Sequence, residues 1–108
     1  MRRYEGTFRP RAETDLVDIY QYIAEATGHL VARRFVERVQ AACDGLATFP
    51  ARGTQRDDIR PGLRIVGFER RAAIAFEIEK SRVRIIRVFY GGQDYERALR
   101  PSKERHRS

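Results

Sequence analysis

The chain predicts an α+β fold: an N-terminal strand, an antiparallel helical hairpin packed on a small antiparallel sheet, and a short C-terminal helix or tail, in β-α-α-β-β-β order. Three observations carry this expectation. Two long stretches repeat apolar residues at three- and four-residue spacing and meet at Gly28. Three apolar or alternating stretches follow, divided only by the short polar connections Glu69–Arg71 and Lys80–Arg82. The length, 108 residues, suits one domain with one core.

Arg3 to Phe8 (RYEGTF) alternates as a first strand. Pro10 then suits the first position of a helix, where a missing N–H costs nothing. Ala12, Leu16, Ile19, Tyr20, Ile23 and Ala26 form the helix's apolar stripe, and Glu13, Asp15 and Asp18 sit in the first turns, where the dipole favours negative charge. Gly28 ends it. A second helix, about Leu30 to Thr48, carries Ala32, Phe35, Val36, Val39, Ala42, Cys43 and Leu46 on its stripe, with Arg33, Arg34, Glu37 and Arg38 toward solvent. So short a link makes the pair an antiparallel hairpin.

Pro50 to Gly62 (PARGTQRDDIRPG) reads as an ordered surface loop. Strands follow at Leu63–Phe68, Ala72–Glu79 and Val83–Tyr90. In the middle one Ile74, Phe76 and Ile78 alternate toward the helices, which leaves Ala73, Ala75 and Glu77 on an opposite face, small, polar and partly open. A short helix and a frayed basic tail complete the chain; residues 1–100 form the domain and 101–108 the tail.

Composition narrows the function. No apolar stretch approaches the ~20 residues of a membrane helix, and the start MRRYEG has no apolar h-region, so neither a span nor a signal peptide is expected. The lone cysteine, Cys43, permits no internal disulfide, which fits a reducing cytoplasm. A net charge of +7 suggests nucleic acid or an acidic protein as partner. Of 22 basic residues only Lys80 and Lys103 are lysines, so 20 are arginines, a skew that codon usage alone can also produce.

No metal and no cofactor is expected: His29 and His106 lack a second ligand at metal-site spacing, and Cys43 falls on a buried stripe. The Gly91-Gly92 pair has neither P-loop nor Rossmann context and reads as a turn. Asp57-Asp58 and Glu77/Glu79 read as solvated carboxylates. Arginine is the plentiful polar group. Arg64 opens a strand, and Arg87, mid-strand in an apolar run, needs an open surface or a partner, because an unpaired buried charge is costly. Arginines hold phosphates or carboxylates but supply no base at neutral pH.

The order and spacing of PRAETDLVDIYQYI, RRFVERV, LATFPARG, PGLR and IIRVFYGGQD resemble the ParE/RelE toxins of bacterial type II toxin–antitoxin modules, from about Tyr4 to Leu99. The resemblance implies one of two activities. RelE-like members cut messenger RNA in the ribosome, with basic residues, tyrosine, glutamate or histidine on the open sheet face and near the C-terminus. ParE-like members lack that set and inhibit DNA gyrase. Along AAIAFEI the RelE pattern would place a catalytic arginine at Ala73; a later basic position is Gln93, a tyrosine position falls near Leu99, and the histidine common to both branches is Tyr90. Arg64 alone matches a basic position, one that both branches share. Asp15-Leu16, Ile19, and Leu46 with Pro50 resemble the ParE branch.

The resemblance therefore implies a plasmid-stabilisation type of toxin, non-enzymatic, directed at DNA gyrase. Its partners would be a ParD-like ribbon-helix-helix antitoxin and, only through that antitoxin, operator DNA. Arg64, Ala73, Ala75, Arg87 and Tyr90 are the expected antitoxin- or target-binding residues, with no catalytic residue among them. Two alternatives stay open: a RelE-like endoribonuclease using Tyr90, Tyr95, Arg64 and Arg87, and a detoxified relative acting only as co-repressor with its antitoxin.

Overall fold

The computed structural model describes residues 5–100, so the basic tail and the expected strand residues Arg3 and Tyr4 lie outside it. Strand β1 (Glu5–Phe8) leads directly into helix α1 (Pro10–Thr27) and helix α2 (His29–Leu46). A two-residue strand β2 (Thr54–Gln55), three longer strands β3 (Leu63–Phe68), β4 (Ala72–Glu79) and β5 (Arg82–Tyr90), and a one-turn helix α3 (Tyr95–Leu99) complete it. The five strands make one sheet in the order β1-β5-β4-β3-β2, with β1 parallel to β5 and the other pairs antiparallel.

The helices turn back on each other through Gly28 alone. Its φ of 104° favours glycine, and it serves both helices: its N–H donates to Ala24 O at 2.9 Å, while its carbonyl accepts from Ala32 N at 3.2 Å. Leu16, Ile19 and Ile23 of α1 and Phe35, Val39, Cys43 and Leu46 of α2 bury against Ile74 and Phe76 of β4 and Val83, Ile85 and Val88 of β5. This is the main core. Ala26, expected on the α1 stripe, is exposed instead. Cys43 is 3% exposed, and burial, followed by the charge of Asp44, pushes its thiol up to about 12.

The loop before β3 is less plain than its composition suggests. Thr54 and Gln55 pair with Ile65 and Arg64 as an edge strand, and Gly53 beside them is required, because a Cβ there would collide with the Ile65 carbonyl oxygen. The β3–β4 connection is the three-residue turn Glu69–Arg71, whose first two residues, Glu69 (φ 52°) and Arg70 (φ 59°), are both left-handed, the twist that closes a tight hairpin. No glycine eases it. Arg71 N donates to Phe68 O across the turn at 3.0 Å, and the Arg38 guanidinium grips Glu69 with two bonds, 2.8 and 2.9 Å, tying the turn to α2.

The face opposite the helices is not open along its length, which corrects the expectation from strand alternation. Ile59, Leu63, Ile65, Ala75, Phe89 and Leu99 bury there as a second, smaller cluster, with Ala73, Ile86 and Tyr95 packed at its border. The loop before β3 and the short α3 supply its cover through Ile59, Leu99 and Tyr95, side chains that a view of the strands alone leaves out. Ala75, expected on an open face, is fully buried by them.

One irregularity links the two faces. Phe76 pairs with Ile85 but Ala75 pairs with Arg87, so Ile86 is an extra residue in β5. Before this bulge Val83 and Ile85 face the helices; after it Val88 does so, and Phe89 faces the second cluster. Strict alternation would have placed Arg87 in the main core.

Candidate functional site

Ala73, where the resemblance would place a catalytic arginine, lies on the far face of the sheet. Ala73 lies on β4 between Gly67 of β3 and Phe89 of β5, two small positions and one flat ring. The small pair leaves a depression in the far face, and two clefts open from it. One, about 240 Å³, is bounded by Arg70, Arg71, Ala73, Phe89, Gln93 and Tyr95. The other, about 290 Å³, is bounded by Thr54, Arg56, Ile65, Gly67, Ala73 and Tyr95. Tyr95 and Ala73 belong to both. The Tyr95 ring leans on Phe89 at 6.0 Å between centroids, which fixes its place at the mouth.

Charged side chains border these clefts. Arg56 donates from Nε and Nη2 to Asp58 at 2.9 and 2.8 Å and from Nη2 to Glu96 at 2.8 Å, joining the loop to α3. The hydrogen bond from Arg56 draws the Asp58 carboxyl down to about 2. The bonds to Asp58 and then Glu96 push the Arg56 guanidinium further up. Arg70 and Arg71 stand exposed at the rim. Among the described residues no three of histidine, cysteine, aspartate and glutamate converge to hold a metal ion.

The five residues expected to bind do not share one surface. Ala73 and Ala75 lie on the far face, but only Ala73 reaches the clefts. Arg64 pairs with Phe76 on the helix side of the sheet and donates to the Arg52 carbonyl at 3.1 Å. Tyr90 also faces the helices, its ring edge-on to Phe35 at 5.4 Å and to Tyr22 at 5.8 Å. Arg64 and Arg87 therefore do not form a single clamp. The stretch Tyr90–Asp94 is a strand end and turn: Gly91 takes φ 70°, Tyr90 N donates to Gln93 Oε1 at 2.8 Å, and Asp94 caps α3 by accepting from Arg97 N at 3.1 Å.

Arg87 finds its partner inside the protein. Its Nε and Nη2 donate to the Asp15 carboxylate at 2.7 and 3.1 Å, and Asp15 Oδ2 also accepts from Val88 N at 2.9 Å. Strand β1 pairs with β5 only as far as Ile85, so the Val88 N–H on the uncovered edge needs this acceptor. Both side chains are largely buried, 14% exposed for Arg87 and 8% for Asp15. Sequence reasoning assigned Asp15 to the helix dipole and missed this joint. The signal that could have revealed it is the doublet Ile85-Ile86, which breaks alternation where the bulge lies.

Sequence reasoning also missed a groove on the other side. Asp18, Ile19 and Tyr22 of α1 and Tyr90, Gly91, Gly92 and Gln93 enclose about 400 Å³, with Tyr22 63% exposed at its lip. His29 in the helical hairpin sits 3.0 Å from the Tyr20 hydroxyl and makes a surface contact only.

The comparisons with known proteins fit this architecture. Residues 7–95 match the model of the family described as the ParE toxin of the type II toxin–antitoxin system parDE. The chain belongs to that family: it is a ParE-family toxin of a type II toxin–antitoxin system. Among solved structures it is similar to a chain of the chromosomal ParDE toxin–antitoxin system from P. aeruginosa, with 21% identity over 82% of this chain and 96% of that one, at a TM-score of 0.72. It is also similar to a chain of the toxin–antitoxin complex RelBE2 from Mycobacterium tuberculosis, with 19% identity over 82% and 98% of the two chains, at a TM-score of 0.54. No curated protein matches it.

Proposed function

We propose that this toxin acts without catalysis, by forming a stoichiometric complex with DNA gyrase, and that a cognate ParD-like ribbon-helix-helix antitoxin neutralises it in the cytoplasm. The observation that carries this reading is Ala73. It sits where both far-face clefts meet, and its methyl group can neither donate to a leaving oxygen nor move a proton. Of the four residues that a ribonuclease reading would use, Tyr95 alone lines those clefts; Arg64 and Tyr90 face the helices and Arg87 is held by Asp15. Arg56, which lines one of these clefts beside Ala73, already serves two carboxylates, and Arg70 and Arg71 at the rim of the other are cations that supply no base.

The solved relatives are toxin–antitoxin assemblies by their own descriptions, which supports an antitoxin partner here. The exposed Arg70 and Arg71 at the cleft rim suit an acidic segment that orders on binding. Contact with operator DNA would run through the antitoxin, and the module would then stabilise the replicon that carries it.

The test sets two assays side by side. Purified toxin is added to programmed ribosomes, and separately to gyrase with a relaxed plasmid. The reading expects intact message in the first assay, and lost supercoiling with accumulated cleaved DNA in the second. Codon-specific cleavage of the message would overturn it.

A further inference from the structure

A cavity of about 400 Å³ lies away from Ala73, where the start of α1, the bulge of β5 and the end of α3 meet. Arg9, Arg11, Arg60 and Arg87 line it, with Pro10, Ile86 and Leu99 as its apolar wall and no carboxylate among the lining residues. The carboxylates that pair with these arginines are two, Asp15 and Glu77, so four guanidinium charges meet two negative ones. Arg9 has no side-chain partner among the described residues, and Arg11 comes only to 3.9 Å of Asp15. Arg60 uses Nη2 on Glu77, and Arg87 uses Nε and Nη2 on Asp15. A guanidinium carries five N–H donors, so each keeps donors for a guest.

We propose that this cavity binds a phosphate group carried by a nucleotide. Planar guanidinium forks match phosphate oxygens in pairs, and Arg87 is held in place for that role by a partner behind it. The bulge at Ile86 is what turns both Ile86 and Arg87 into the cavity, and bulges re-aim side chains in this way beside binding sites. The volume falls within the ~300–1,000 Å³ of small-molecule sites, and the wall of Pro10, Ile86 and Leu99 suits the sugar or base attached to the phosphate. A free nucleotide and a link in a nucleic-acid strand present the same phosphate chemistry to these guanidiniums, and the proposal does not depend on gyrase being the target.

The experiment uses the full chain and three probes: adenosine diphosphate, a fluorescent single-stranded oligothymidylate, and a glutamate-rich peptide. Binding is followed by calorimetry and by anisotropy. Arg9→Ala/Arg11→Ala removes two exposed lining cations, and Arg33→Ala/Arg34→Ala removes two exposed cations from α2 as the charge-matched control. A thermal melt of each checks folding. The proposal expects saturable binding of at least one phosphate probe, lowered about tenfold or more by the first double variant and less than about twofold by the second. Binding of the diphosphate alone assigns a free nucleotide, and binding of the strand assigns a backbone phosphate. Absence of saturable binding to either, equal losses in both double variants, or peptide binding as tight as phosphate binding would overturn it.

Discussion

The two faces of the sheet differ in what covers them. On one, two 18-residue helices lay continuous apolar stripes over Ile74, Phe76, Val83, Ile85 and Val88. On the other, a loop and a five-residue helix reach in with Ile59, Leu99 and Tyr95, and ion pairs through Arg56 hold that cover down. The first face is a core that any hairpin-on-sheet protein needs. The second is a thin lid beside exposed arginines, and the clefts around Ala73 open there. The helix face carries the larger core and the far face the thinner one.

The strongest way to break the contrast is at the joint between the faces. Asp15→Ala leaves the buried Arg87 charge and the Val88 N–H without their acceptor, and should cost about 3–5 kcal/mol in urea unfolding. A loss below about 1 kcal/mol would mean that water already serves Arg87. Leu99→Ala thins the far cover; α3 is short enough to settle into the space, so the expected loss is near the lower end for such changes, about 2 kcal/mol. A loss matching that of Asp15→Ala would erase the difference between the faces.

Arg56→Ala acts more locally. Global stability should change little, while the amides of α3 exchange faster than those of α1 and α2. Acid should reproduce this effect. The hydrogen bond from Arg56 holds the Asp58 carboxyl down at about 2, below its ordinary 3.8, so its contribution is complete above the ordinary value and fades as pH falls through about 2. Amide shifts of Ala98 and Leu99, followed from about pH 5 to about pH 2, should move only at the acid end. Movement centred on the ordinary value would deny the Arg56 bond. Cys43 tests the helix face without disturbing it: a thiol buried and pushed up to about 12 should resist thiol reagents until the chain unfolds.

Much of this architecture is legible in the residues. The stripes of α1 and α2, Gly28 between them, Pro10 at the first helix's start and the three hairpin strands are local signals, and each element stands within a residue or two of its expected place. What local pattern does not carry is pairing at a distance. Asp15 and Arg87 are 72 residues apart, and neither position announces the other. Strand β2 is two polar residues with no alternation to detect, and the burial of Ala75 depends on Ile59 and Leu99 arriving from outside the strands. The candidate site suffered most from this. The resemblance points to Arg64 and Tyr90 by position in the pattern, but faces are set by the bulge and the register, and these turn both side chains toward the helices.

We propose above that the surface built around Ala73 grips rather than cuts. Titrating a fixed amount of gyrase with toxin tests it most directly, with supercoiling read at several times for each ratio. Inhibition should follow the toxin-to-gyrase ratio, reach its limit at a fixed ratio, and not deepen with time. Ala73→Arg should create no nuclease, because members of a catalytic set act together. Progressive loss of activity at a small fraction of one toxin per gyrase, or cleavage of ribosome-bound message by the unmodified protein, would rule out a purely binding toxin.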